Sequence, residues 1–430
     1  MDPAELTVVA ARAAIAAGEL SPVELLDAVL QRVADRNDEL RAYLFVDEDG
    51  ARKAARAAEA AARQGDDRPL LGIPICVKDV IDVAGMPTTA GAAHWRREPA
   101  VDAVAVARVR EAGAVIVGKG NTNEFAYGID GRNPHWGDVP NPLDTGRLSG
   151  GSSSGPTAAV VAGMALAGLG TDTTGSLRVP AALCGVVGLR PTLGAIPAAG
   201  MVALAWSYDV VGPVARTVED TAMLWRVLAG GEAEHRDARL PRVGVLDELL
   251  AGTAHPVAEA VRRVAVALDA EQVELEQLAH TEAVHNIVFM CEASAYHDAW
   301  FAQERQHYSQ VVRERLELGR TIPAIDYLRA QQGRRLFVEE FERTMEDEGL
   351  AALLAPTALD VAPPLSDDQN AQRQILLTAV RPLSQTGGPV ISIPAGTGDD
   401  GLPVGVQVMA PALDEVTMFR TAAALERNLT

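Results

Sequence analysis

The chain is short of several things at once, and each shortage removes a class of function. Only three cysteines occur in 430 residues. Cys76, Cys184 and Cys291 lie far apart and form no CxxC pair, so neither a disulfide framework nor a clustered metal site is expected, and a reducing compartment fits. No HExxH or Cys/His ligand spacing occurs, so neither a metal nor a cofactor is expected. Basic residues are outnumbered, 38 Lys and Arg against 58 Asp and Glu, for a net charge of −20. Such a surface repels phosphate backbones and anionic bilayers, which argues against nucleic acid or membrane as a partner. The longest apolar stretch, AAVVAGMALAGLG, is too short and glycine-rich to span a bilayer. The N-terminus, MDPAELTVVAARAAIAAGEL, has no basic leader region, and a cytoplasmic protein is the expectation.

What is present is apolar and small. Hydrophobic residues make up 48% of the chain but aromatics only 4%, which suits small-residue helices packed on a sheet. SPVELLDAVLQRVADRN sets Ser21 as an N-cap with Pro22 at the first helical position, and ARKAARAAEAAARQG ends at Gly65. Residues 1–65 therefore read as an N-terminal helical segment. GIPICVKDVID and GAVIVGKGN are β-branched runs flanking a helical AVAVARVREAG, the pattern of a strand–helix–strand unit with parallel strands. Residues 158–168 read as an alanine-rich helix. Residues 255–348 are helical and charged, a cover for the sheet, and LAALLAPT, GGPVISIPAG and LPVGVQVMAP read as late strands. The expected fold is a single α/β domain over residues 1–430, with a mixed, mostly parallel central sheet covered by helices.

Two motif matches fail on context. Gly113 to Lys119 fits GxxxxGK, but Gly120 follows where Ser or Thr is needed, and AVIV is a buried-strand sequence. Gly151 to Gly155 fits GxSxG with Ser153 at its centre, but the preceding NPLDTGRLSG is loop rather than strand. That hydrolase also needs a late loop histidine, whereas His280, His285, His297 and His307 all fall in the helical region.

Two glycine-flanked loops carry the chemistry. RLSGGSSSGPTAAV holds Ser152, and GTDTTGSLRVPAALCG, with Ser176, begins shortly after it. Consecutive N–H groups in the second loop could converge as an oxyanion nest, or the loop could be an ordinary strand-to-helix turn with a capping serine. Lys78 closes the apolar run GIPICV. It reads either as a snorkelling lysine paired with Asp79 or Asp82, or as a buried amine whose proton burial has driven off, competent as a base. With two serine loops and no suitable histidine, a Ser–Lys hydrolase is the reading that uses all three features.

The chain resembles the amidase signature enzymes, serine amidohydrolases with a Ser–cis-Ser–Lys triad. The resemblance runs from GIPICVKDVIDVAGMPTTAG through GKGNTNEFAYGIDGRNPHWGDVPNPLD, SGGSSSG, GTDTTGSLRVPAALCGVVGLRPT and WSYDVVGPVARTVED to GGPVISIPAG and GLPVGVQVMAP. It implies Lys78 as base, Ser152 as bridging serine on a cis Gly151–Ser152 peptide, and Ser176 as nucleophile. It further implies an oxyanion hole from the N–H groups of Thr173, Thr174, Gly175 and Ser176. Ser153 and Ser154 are expected to bond around the lysine or to be structural, and Asp172 and Arg178 to brace the loop. Two departures stand out: Thr174 replaces the family's usual glycine, and Pro156 and Thr157 replace small residues. Phe125, Tyr127 and Trp206 fall in segments that run near the acyl pocket in relatives. The implied activity is hydrolysis of a carbon–nitrogen bond in a small-molecule amide through an acyl-enzyme, with a homodimer allowed for as the assembly. The alternative is the glutaminase-type component of a tRNA-dependent amidotransferase (its A chain), for which the sequence is short and shows no partner-binding segment. A binding protein with a decayed site is disfavoured because Lys78, Ser152 and Ser176 are all present.

Overall fold

The computed structural model describes residues 2–230, 242–366 and 369–429. Its strands, in chain order, are β1 (Tyr43–Val46), β2 (Pro74–Lys78), β3 (Val115–Gly120), β4 (Pro140–Asn141), β5 (Asp144–Leu148), β6 (Ala167–Asp172), β7 (Val187–Arg190), β8 (Val210–Ala215), β9 (Val243–Val245), β10 (Glu271–Gln272), β11 (Ala352–Pro356), β12 (Val390–Thr397) and β13 (Pro403–Met409). Eleven of these form one sheet in the order β1-β3-β2-β6-β8-β7-β12-β13-β11-β9-β10, and β4 and β5 make a separate hairpin.

The mixed, helix-covered sheet is as expected, but the balance of strand directions is not. Among the described residues six of the ten neighbour pairings are antiparallel, and only β2–β3, β2–β6, β9–β11 and β9–β10 are parallel. The crossover helix Val104–Glu111 does make β2 and β3 parallel. Residues 398–402 between β12 and β13 are too few for a crossover, and such a connection forces an antiparallel pair.

The N-terminal segment is helical except for β1, whose YLFV sequence is β-branched and aromatic enough to cap the sheet edge beside β3. Ser21 closes a capping box with Glu24 at the head of helix Pro22–Leu40, as the sequence predicts. The alanine-rich run after the serines divides: helix Ser154–Val161 stops early, and Ala167 onward is β6. A continuous buried apolar run cannot be assigned by periodicity alone, and here the central position between β2 and β8 decides it. In the 255–348 region, helices Thr281–Glu304, Gln310–Thr321 and Ala324–Asp347 pack on one another as a cover, with the short β10 before them.

This topology brings the chemistry to one end of the sheet. β2 ends at Lys78 and its parallel neighbour β6 ends at Asp172, immediately before Thr173–Ser176. Helix Ser154–Val161 packs against both strands. At Gly170 a Cβ would stand 2.6 Å from the Ser153 hydroxyl, so the close approach of the serine loop to β6 requires glycine there.

Candidate active site

Lys78 is fully buried, and its amine has three hydroxyl neighbours: Thr171 Oγ1 at 2.7 Å, Ser152 Oγ at 2.8 Å and Ser153 Oγ at 3.1 Å. No carboxylate pairs with it among the described residues. Asp79 instead pairs with Lys119 at 3.0 Å, and Asp82 with Arg97 at 2.7 Å, which removes the snorkelling alternative. Burial lowers the Lys78 amine to about 7, against the opposing pull of the Asp172 and Asp209 carboxylates. The Gly151–Ser152 peptide is cis. Ser153 donates its hydroxyl to the Thr171 carbonyl at 3.0 Å, so it accepts from the lysine and is committed to structure.

Ser176 joins this group through the backbone. The Ser153 N–H donates to the Ser176 carbonyl at 3.0 Å, which holds the two serine loops together. No hydrogen bond links the Ser152 and Ser176 hydroxyls; that of Ser176 instead faces a cavity of about 760 Å³. Asp172 and two arginines set the loop's shape. Arg178 Nε meets Asp172 Oδ2 at 3.1 Å and Arg190 Nη1 meets Oδ1 at 3.3 Å, all three residues being fully buried. Burial alone would raise the Asp172 carboxyl, but the two guanidinium groups hold it below the usual carboxylate range.

The same carboxylate changes the expected oxyanion set. Gly175 donates its N–H to Asp172 Oδ1 at 2.7 Å, so that donor is engaged. Gly175 serves the turn instead by its φ of +129°, which side chains rarely adopt. The N–H groups of Thr173, Thr174 and Ser176 have no acceptor among the described residues. The Thr174 hydroxyl bonds His285 Nε2 at 3.0 Å. Thr173 Oγ1 donates to Asp209 Oδ1 at 2.6 Å, and Asp209 also accepts from the N–H groups of Leu204 and Ala205. Burial raises that carboxyl to about 6, against those bonds. Asp209 and Thr171 escaped the sequence reading, although Asp209 stands within the WSYDVVGP stretch singled out there.

Of the three aromatic residues, Tyr127 alone lines the cavity. Phe125, held at φ +50°, turns into the core and packs on Tyr308 and His297. Trp206 is 51% exposed and lines a second, shallower hollow beside Cys291 and Tyr327. Both departures have one cause: sequence proximity to a site does not set which face of a turn a ring occupies. Neither motif match acquires chemistry. Lys119 is a buried strand residue in β3, and Ser153 is held as described.

One side-chain group meets the donor chemistry of a metal. His94, Glu124 and His135 bring their ligand atoms within 4.8 Å of one another. His135 and Glu124 already bond each other at 2.9 Å, and Glu124 also accepts from the Ser309 N–H. His94 bonds neither of the other two: it packs on Phe125 and His135, and both of its ring nitrogens are buried with no hydrogen-bond partner among the described residues.

Comparison with known proteins identifies the family. The Amidase family model matches residues 24–419. The A chain of the glutamyl-tRNA(Gln) amidotransferase of Roseiflexus sp. (strain RS-1) is 36% identical over 98% of this chain and 96% of its own. Its counterpart in Chloroflexus aggregans is 37% identical over the same shares. Among solved structures, one described as an amidase is 34% identical with a TM-score of 0.92, covering 99% of this chain and 100% of its own. The peptide amidase of Stenotrophomonas maltophilia is 29% identical with a TM-score of 0.86, covering 99% of this chain and 97% of its own.

Proposed function

We propose that this chain, which belongs to the amidase family of carbon–nitrogen hydrolases, cleaves a small-molecule amide through an acyl-enzyme on Ser176. One observation carries this reading: a buried amine, lowered to about 7, with only hydroxyl groups as partners. A neutral amine has two N–H donors and one lone pair. Ser153 spends its proton on the Thr171 carbonyl, so it must accept from Lys78, and the Thr171 hydroxyl takes the second N–H. The lone pair is left for the Ser152 proton at 2.8 Å.

Mechanism then follows in order. Lys78 withdraws the Ser152 proton, and Ser152 takes one from Ser176 as Ser176 attacks the amide carbon. The relay requires the two serine hydroxyls, which are not bonded in the free site, to come within hydrogen-bond reach. The carbonyl oxygen, turning anionic, meets the unengaged N–H groups of Thr173, Thr174 and Ser176. Ser152 returns a proton to the departing nitrogen, and water enters by the reverse relay to free the acid.

The test is a fluorophosphonate probe with intact-mass readout, followed by ammonia detection across an amide panel. One adduct on Ser176, absent in Ser176→Ala, is expected; labelling elsewhere refutes the assignment. A second reading draws on the amidotransferase relatives: the same residues would release ammonia from glutamine for a partner protein. Turnover of simple amides by the purified chain favours the hydrolase, whereas glutaminase activity only in a complex reverses the choice.

A further inference from the structure

In a chain of net charge −20, the cavity before Ser176 is lined by a cluster of arginines. Arg315, Arg373 and Arg381 come from three separate helices: Gln310–Thr321, Gln369–Leu377 and Val380–Gln385. Their bonding is incomplete. Arg315 donates to the Tyr127 carbonyl and lies over the Tyr127 ring, with no carboxylate paired to it among the described residues. Arg373 is half-buried and makes no hydrogen bond or ion pair among the described residues. Arg381 is buried, pairs one nitrogen with Glu282 at 2.6 Å, and leaves its Nε buried with no acceptor. Glu282 itself is half-exposed, so solvent screens that one counter-charge.

Like charges held together in a partly desolvated hollow repel one another unless an anion joins them. Burial first, then the neighbouring Arg373, lowers both Arg315 and Arg381 from their ordinary values. Arg132, by contrast, is satisfied by Gln372, Leu365 and Asp130, and Arg178 by Asp172. The cluster also sits beside the chemistry. Val380, which precedes Arg381, packs so closely on Gly175 that a Cβ there would stand 2.6 Å from it.

We infer that Arg373 and Arg381, together with Arg315, form a carboxylate subsite, and that the substrate is an amide carrying a carboxylate on its acyl side. This rests on Ser176 as the nucleophile. A planar carboxylate matches the guanidinium fork of the unpaired Arg373. A cavity of about 760 Å³ holds a small monoamide of a dicarboxylic acid with room to spare.

The experiment compares succinamic acid with its methyl ester as substrates, in the wild type and in Arg373→Met and Arg381→Met. The wild type is expected to favour the free acid, and each variant to lower the acid-to-ester ratio of kcat/KM by about 10- to 100-fold, the range for one charged hydrogen-bonded contact. Arg373→Met removes no native bond, so it guards against a folding failure in Arg381→Met. A second readout needs no turnover: succinate should slow fluorophosphonate labelling of Ser176 in the wild type and not in the variants. Equal use of acid and ester, or protection that survives both substitutions, overturns the subsite. Loss of labelling in the wild type would instead strike the Ser176 assignment, which keeps the two failures apart.

Discussion

The dependence on pH offers the most direct measure of whether the buried lysine is the base. At its ordinary value of 10.5 only about one amine in 3,000 would be neutral at pH 7, whereas at about 7 half are. kcat/KM should therefore climb about tenfold per pH unit below about 6 and level off above about 8, since the profile reports the free enzyme's base. Asp209 and Asp172 both oppose the loss of the lysine proton. Asp209→Asn should consequently move the midpoint to lower pH, because it removes a charge that favours the ammonium. Lys78→Met keeps the length of the side chain and should reduce kcat/KM by about 10²- to 10⁴-fold, the usual share of a general base. Stability supplies an independent check. The unfolded chain holds the Lys78 proton up to 10.5 and the folded chain releases it near 7, so folding stability from this group rises with pH across that window. The rise should vanish in Lys78→Met, measured by urea unfolding at pH 7, 8.5 and 10. A wild-type profile flat from pH 5.5 to 9, or a methionine variant with a tenth of the activity left, would defeat the assignment.

Other outcomes follow from the same geometry. Asp172→Asn leaves Arg178 and Arg190 fully buried without a carboxylate and should cost about 3–5 kcal/mol in urea unfolding; a loss under about 1 kcal/mol would mean this ion cluster does not shape the loop. Gly170→Ala pushes a methyl against Ser153 Oγ and Leu177 Cδ2, costing about 1–3 kcal/mol. Its turnover should fall further than its stability, because Ser153 is one of the acceptors that orients the amine. Thr174→Gly opens the nest and releases His285, so bulkier acyl groups should gain in kcat/KM relative to small ones; an unchanged acyl preference would show that Thr174 does not border the acyl group.

Much of this was legible before any coordinates, and the reasons are local. Lys78 at the end of a five-residue apolar strand, and serines pinned between glycines, are patterns in which chain geometry and chemistry coincide within ten residues. The helix opened by Ser21 and Pro22 has its whole start signal in four positions. Strand direction was less legible, because it depends on what lies between strands: the crossover at Val104–Glu111 announces itself, but the route from β6 to β8 does not. Phe125 and Tyr127 show the limit at finest grain. They are two residues apart in one turn, and the successive positive φ values of Phe125 and Ala126 set the Phe125 ring in the core while Tyr127 reaches the cavity.

The arginine cluster marks a different boundary. Net charge is a sum over the chain, and a sum of −20 carries no trace of a local excess of cations. Arg315, Arg373 and Arg381 sit amid acidic or neutral helical sequence, and each alone reads as a solvated face. They become a site only because the cover helices and the segment before β12 close over the same end of the sheet that β2 and β6 furnish with Lys78 and Ser176. The proposed catalytic half of the pocket is thus built from strand ends and tight turns, where sequence restricts geometry. The proposed recognition half is built from helix Gln310–Thr321 and the adjacent helices Gln369–Leu377 and Val380–Gln385. If that division is right, exchanging the three arginines should alter which amide is taken and leave the pH midpoint of turnover near its wild-type position. A midpoint displaced together with the preference would show that the two halves are electrostatically one.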